Sequence, residues 1–184
     1  SLVIGQDTQI DHANLSGLQS DGNNPVIAES ANLSGVNFAN ANLYGSKMKA
    51  ANLAGATLTG ATLTGADMGV SHLEGADLSR TDMTYAKLSA GSLTGATLRQ
   101  ADLTEANLSK ADFSDANLHE ANLAGANLAG TNLSGADLRG ANLADAQNAD
   151  STLIDSQTNF TSATCPDGVV VDGTQVTTCV GHGF

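Results

Sequence analysis

The chain of 184 residues has no tryptophan, only two tyrosines and four phenylalanines, and just two cysteines. Bases are scarce as well: seven Lys and Arg stand against nineteen Asp and Glu, a net charge of −12. A protein this acidic is a poor ligand for nucleic acid or for an anionic membrane surface. No apolar run approaches the roughly 20 residues of a membrane-spanning helix, so membrane insertion is not expected. No signal peptide is recognisable, yet the chain opens at Ser1 rather than Met, which leaves open whether a segment has been removed. The spacings of ordinary elements are missing too. A helix needs apolar residues at steps of three and four, and a half-buried strand needs steps of two.

What is present is a step of five. From Leu33 to Leu153 every fifth residue is large and apolar, with Asn148 the one exception. Two residues earlier the side chain is always small or short: eighteen Ala, three Ser, two Thr, Gly91 and Val36. The residue between is mostly Asn, Asp or Thr, and glycine gathers two residues after the apolar position, as at Gly55, Gly95 and Gly135. Asn, Asp and Gly at this frequency favour turns and oppose helix. A chain that bends every five residues makes a coil, and four sides close a coil of about twenty residues. Residues twenty apart then stack at roughly 4.8 Å.

Four ladders follow from that spacing. Leu33, Leu53, Leu73, Leu93, Phe113, Leu133 and Leu153 form the first, and Phe38 to Leu138 the second. Leu43 to Leu143 form the third, and Met48 to Leu128 the fourth, with Asn148 at its end. Each inward side chain is worth up to ~1.5–3 kcal/mol. The small position must also face inward. Asn148 is expected where the shaft meets its cap, since a polar group costs less there than in mid-stack.

The recurring unit, as in Ala31-Asn32-Leu33-Ser34-Gly35 and Ala121-Asn122-Leu123-Ala124-Gly125, resembles the pentapeptide-repeat family. The resemblance covers residues 31–155 and implies an all-β fold, a right-handed quadrilateral parallel β-helix. It implies no single function, since fold and function separate generally.

The expected organisation is a single domain of three parts: residues 1–30 as N-terminal cap with an irregular first coil, 31–155 as continuous repeats, and 156–184 as C-terminal cap. Thr8-Gln9-Ile10-Asp11-His12 and Ala13-Asn14-Leu15-Ser16-Gly17 read as two repeats in another register, because Leu15 and Leu33 are eighteen apart. An excursion is expected near 18–25, with re-entry through Val26 and Ile27, and residues 1–7 are the material available to cover the open first coil. Within 18–30 a spacer loop is favoured over a recognition loop.

Cys165 and Cys179 bracket a tail that begins Cys165-Pro166-Asp167-Gly168, with Pro-Asp-Gly a turn signal and Val169–Thr174 a short strand and turn. Cysteine arithmetic favours a disulfide over free thiols, and over a metal pair with His182 that would lack a fourth ligand. A disulfide favours an oxidising compartment. The tail is similar to those of cyanobacterial pentapeptide-repeat proteins exported to the periplasm or thylakoid lumen. That resemblance implies an exported location, with a cytoplasmic one as the alternative.

Chemistry is hard to find. His12, His72, His119 and His182 sit in no nucleophile motif, and His72 and His119 take outward repeat positions. Acids such as Asp115 and Glu120, or Asp145 and Asp150, fall on different sides of the coil and make poor general acid–base pairs. No catalytic, cofactor-binding or metal-binding residue is expected, and a filled shaft leaves no ligand cavity. The reading is therefore a non-enzymatic interaction or scaffold protein with an unidentified protein partner, and a monomer is favoured. A gyrase-directed DNA mimic is the alternative, supported by rod shape and acidity and opposed by the seven bases. An enzyme is the remote third.

Overall fold

The computed structural model describes residues 2–5, 10–20, 23–172 and 178–184. Thr8 and Gln9 of the first expected repeat, and Gly173 and Thr174 of the expected tail turn, lie outside these residues.

Parallel bridges join residues twenty apart over the repeats, from Asn32 with Asn52 up to Asn127 with Gln147. Each coil therefore has four five-residue sides. We number the sides by their inward residues: side 1 from Leu33, side 2 from Phe38, side 3 from Leu43 and side 4 from Met48. Levels are numbered from residues 31–50 upward.

One unit accounts for all its backbone donors. In Ala51–Gly55 the N–H of Ala51 bonds Met48 O across the corner, at 3.0 Å. Asn52 N–H reaches down to Ala31 O (2.9 Å), while Leu53 N–H and Gly55 N–H reach up to His72 O and Glu74 O (2.6 and 2.9 Å). The remaining donor, Ala54 N–H, bonds the Asn52 side-chain Oδ1 at 3.1 Å. This explains the Asn/Asp position: its carboxyl or amide oxygen satisfies the one N–H that the ladders leave over. The fifth residue carries the corner in the left-handed region, with φ of 63° at Gly55. Val70 holds the same conformation (φ 50°), a costly one for a β-branched residue.

The shaft is dry and filled. The Leu-type and Ala-type residues from Ala31 to Leu143 are buried almost completely. Buried hydroxyls at the small position close onto backbone oxygens: Ser71 Oγ on Met68 O, Thr81 Oγ1 on Leu78 O, Thr131 Oγ1 on Leu108 O. Ser46 Oγ is the exception and has no hydrogen-bond partner.

The ends depart from the expected register. Asn148 takes a left-handed conformation (φ 56°) and starts a 3-10 turn over Ala149–Ser151. Its side chain points out and donates to Asn127 Oδ1 at 2.9 Å, and Ala149 is buried in its place. One residue has been inserted, so Leu153 pairs with Asn132, twenty-one residues away. That single step turns the alternation over. Leu153 is not in the first ladder; it faces solvent at 59% exposure, and Ile154 packs on the core instead. A further residue is gained before Asn159, which bridges Asp137. Phe160 and Cys165 then lie buried over the second and third ladders.

At the N-terminal end Asn14 and Gln19 bridge Asn37 and Asn42, twenty-three residues away, and Ile27 bridges Lys47, twenty away. The three extra residues therefore fall between Gln19 and Ile27. Leu18 packs against the core rather than joining the excursion, and Ser20 N–H still bonds Asn42 O at 3.0 Å. Val26 and Ala28 are buried on side 4. Val3 bridges Ile27, which carries the buried Ile4 over the shaft.

Candidate interaction faces

Where the inside is filled, the outward residues of each unit are the surface this structure offers to other molecules. Among the described residues no cavity opens, and no group of three His, Cys, Asp or Glu gathers as metal ligands do.

Stacking by twenties sorts the charges by side. Sides 2 and 4 hold every base: Arg80, Arg99 and Arg139 on side 2, Lys47, Lys49, Lys87 and Lys110 on side 4. Sides 1 and 3 carry no Lys or Arg between 31 and 155. Side 1 has Glu74, Asp112, Asp115 and Asp155, and side 3 has Asp82, Asp102, Glu105 and Asp145. From level 1 upward side 4 keeps a single acid, Asp67, before Asp150 at its upper end, with Glu29 below it in the segment under Lys47 and Lys49. The two exposed tyrosines, Tyr44 (47%) and Tyr85 (65%), both belong to side 3.

Side 3 is also the most tightly tied. Thr64 donates to Asp82 Oδ2 (2.9 Å), and Thr84 donates to Asp82 Oδ1 (2.7 Å). Asp102 accepts from Thr104 and Asn122, and Asn142 donates to Asn122 Oδ1 at 3.0 Å. Partial burial pushes the Asp82 carboxyl up, but the Thr84 hydroxyl, the Thr84 N–H and the Thr64 hydroxyl outweigh it and hold it below the usual range. On side 2, Arg139 holds Asp137 low through a two-pronged contact (2.8 and 2.7 Å). Asp155 is held low by the N–H of Gly135, then of Gln157.

The histidines scatter. His72 stands 3.2 Å from Glu74 on side 1, and His119 lies between Arg99 and Arg139 on side 2, 3.7 Å from Glu120. His182 closes on Asp167 at 2.9 Å in the C-terminal cap. Asp167 is held low by the Val169 N–H and then by His182.

That cap is a built structure. Thr164 pairs antiparallel with Val170, reversing the chain over the last coil around a turn in which Gly168 N–H bonds Cys165 O (2.9 Å). The Cys165–Cys179 disulfide is formed, with Cα atoms 5.3 Å apart, and both cysteines are buried. It brings Phe184 to 5.3 Å from Phe160, centroid to centroid.

A filled four-sided solenoid built by stacking a short unit is the architecture of a repeat protein. The pattern of the family described as pentapeptide repeats matches in eight copies over residues 31–69, 71–100, 84–119 and 116–147. The chain belongs to that family. The matches break at Val70, the strained corner, and stop at 147, one residue before the inserted Asn148.

Among solved structures the chain is similar to HetL of the cyanobacterium Nostoc, a pentapeptide repeat protein involved in regulating heterocyst differentiation. The likeness has 27% identity and a TM-score of 0.62, and covers 92% of this chain and 91% of that one. It is also similar to a pentapeptide repeat protein of the Arabidopsis thaliana thylakoid lumen, at 30% identity and TM-score 0.37, covering 60% and 69%. A third likeness is to QnrB1, a plasmid-mediated fluoroquinolone resistance protein, at 19% identity and TM-score 0.41, covering 78% and 90%. The last two are too loose to argue from. Among curated protein sequences nothing matches the chain.

Proposed function

We propose that this protein is a non-enzymatic interaction module, a right-handed rod as in its family, that presents differently charged sides to a protein partner. The observation carrying this reading is the sorting of charge: bases on two opposite sides, acids without bases on the other two. Side-chain ties on the outer surface, as at Thr64, Asp82 and Thr84, favour binding by lowering the cost of ordering. The buried disulfide supports an oxidising compartment such as the thylakoid lumen or periplasm.

The test is capture from an extract of the native compartment on immobilised protein. Charge-reversed variants of one side at a time, for example Asp82→Lys with Asp102→Lys, are run beside it. Loss of the captured protein with one side's variants and not the others supports the reading. Equal capture by all variants sinks it. Trapping the native thiols with an alkylating agent tests the compartment, since a fully alkylated pool removes that argument.

A gyrase-directed DNA mimic is less well supported, because two of the four sides carry bases. Absence of inhibition in a supercoiling assay with purified gyrase at high micromolar concentration excludes it. For an enzyme, no nucleophile, base and oxyanion donors come together among the described residues.

A further inference from the structure

We propose that side 3 of one copy docks on side 4 of the next, and that the contact closes into a ring of four parallel rods. This goes beyond the interaction-module reading and departs from the monomer expected on sequence grounds.

The two surfaces complement one another over levels 1 to 5, while at level 6 the only charges are Asp145 on one and Asp150 on the other, a like pair at the upper end. Rods of one pitch laid side by side at equal height keep that register along their whole length. At level 1 Tyr44 faces Lys47 and Lys49, a tyrosine ring against ammonium groups. At level 2 the Thr62 hydroxyl faces Asp67, the one acid within the side-4 lysine stretch. At level 3 Asp82 and Tyr85 face Lys87, and at level 4 Asp102 faces Lys110. At level 5 Asn122 and Ala124 meet Asn127 and Ala129, short side chains that allow close approach. The lysine side of this acidic protein thus finds its opposite charge on its own neighbouring side.

Geometry sets the number of copies. Sides 3 and 4 are adjacent and perpendicular, so seating one on the other turns each copy by a quarter revolution about the rod direction. A heterologous contact with that rotation closes after four copies. Size allows it. The accessible surface is 7734 Å², so each of four sides offers on the order of 1,700 Å². Covering about half a side on each of two copies removes ~1,700 Å², within the range of specific interfaces.

The experiment is sedimentation velocity and native mass spectrometry of the intact chain at about 0.5 mM, in 50 and 500 mM salt. The expected result is a shift in low salt from 18.5 kDa to four times that mass, reversed by high salt. Two variants are compared, Lys87→Glu/Lys110→Glu and Asp82→Lys/Asp102→Lys. Lysine already occupies the Asp82-type position at Lys47 and Lys87, so both should fold, which circular dichroism checks. Each is expected to stay monomeric alone. Mixed, they restore complementary charge at both contacts and return the fourfold species. A control on side 1, Glu74→Lys/Asp112→Lys, is expected to associate as the parent does. The chain has no Trp, and both tyrosines lie on side 3, so acrylamide quenching of tyrosine fluorescence should fall severalfold on association. A monomer at every concentration overturns the proposal. So does a twofold species as end point, association untouched by the side-3 and side-4 variants, or equal loss with the side-1 control.

Discussion

Reducing Cys165–Cys179 should open the C-terminal cap and leave the rest of the rod alone. The bond spans fourteen residues of sequence, and closing a loop of about fifteen is worth ~3 kcal/mol by the chain-entropy model. What it holds is local: the 178–184 segment with Phe184 against Phe160, and the reversed strand at Val170. Repeat proteins touch only their neighbours, so a loss at one end stays near that end. The informative amides are Ser162, Cys165 and Val171, whose N–H groups bond Val171 O, Val169 O and Ala163 O at 2.9, 2.7 and 2.8 Å. If they exchange by cap opening, ~3 kcal/mol speeds them by about two orders of magnitude. Asn107 N–H, bonded to Ala86 O in mid-rod at 2.9 Å, should keep its rate. Hydrogen exchange with and without reductant, or with Cys165→Ala/Cys179→Ala, reads both. Equal acceleration at Asn107 would refute local opening. Unchanged rates at Val171 would mean the hairpin stands without the bond.

Three other outcomes are expected. Leu153→Asp should change unfolding free energy by less than ~0.5 kcal/mol, since the side chain is exposed, while Ile154→Asp should cost several times more, having packed side-chain surface to lose; the reverse order in urea denaturation would restore the unbroken five-residue register. Ser46→Ala removes a buried hydroxyl without a partner and should raise stability by ~1 kcal/mol, seen as a higher denaturation midpoint. With acid, the melting temperature should hold from pH 8 to 5 and fall below about pH 4. Asp82, Asp137 and Asp155 all have folded pKa values below their ordinary ones, so their contribution is full above the unfolded value and is lost as pH drops through the folded one; a melting temperature unchanged down to pH 2 contradicts that.

The step of five determined the coil, the side length and the inward residues of every side from Ala31 to Leu143, because four side chains per level and one small companion fill a narrow shaft in one way. It also carried the sorting of charge. Arg80, Arg99 and Arg139 fall on one side by their position modulo twenty, so that pattern was legible once the coil was known. The Asn/Asp position was legible as a turn former, but its task of holding one leftover N–H needed the backbone bonds of all three coils. Tertiary structure decided the ends. Asn148 looks in sequence like a polar substitution in an unbroken series, and the spacing places Leu153 inside. Whether a chain absorbs an odd residue by burying a polar group or by looping it out depends on the coil below and the cap above. Here the Asn127 side chain takes the Asn148 amide, Ala149 fills the gap, and Leu153 turns outward. A period records what repeats, and the two ends, where packing has a neighbour on one side only, had to be settled in three dimensions.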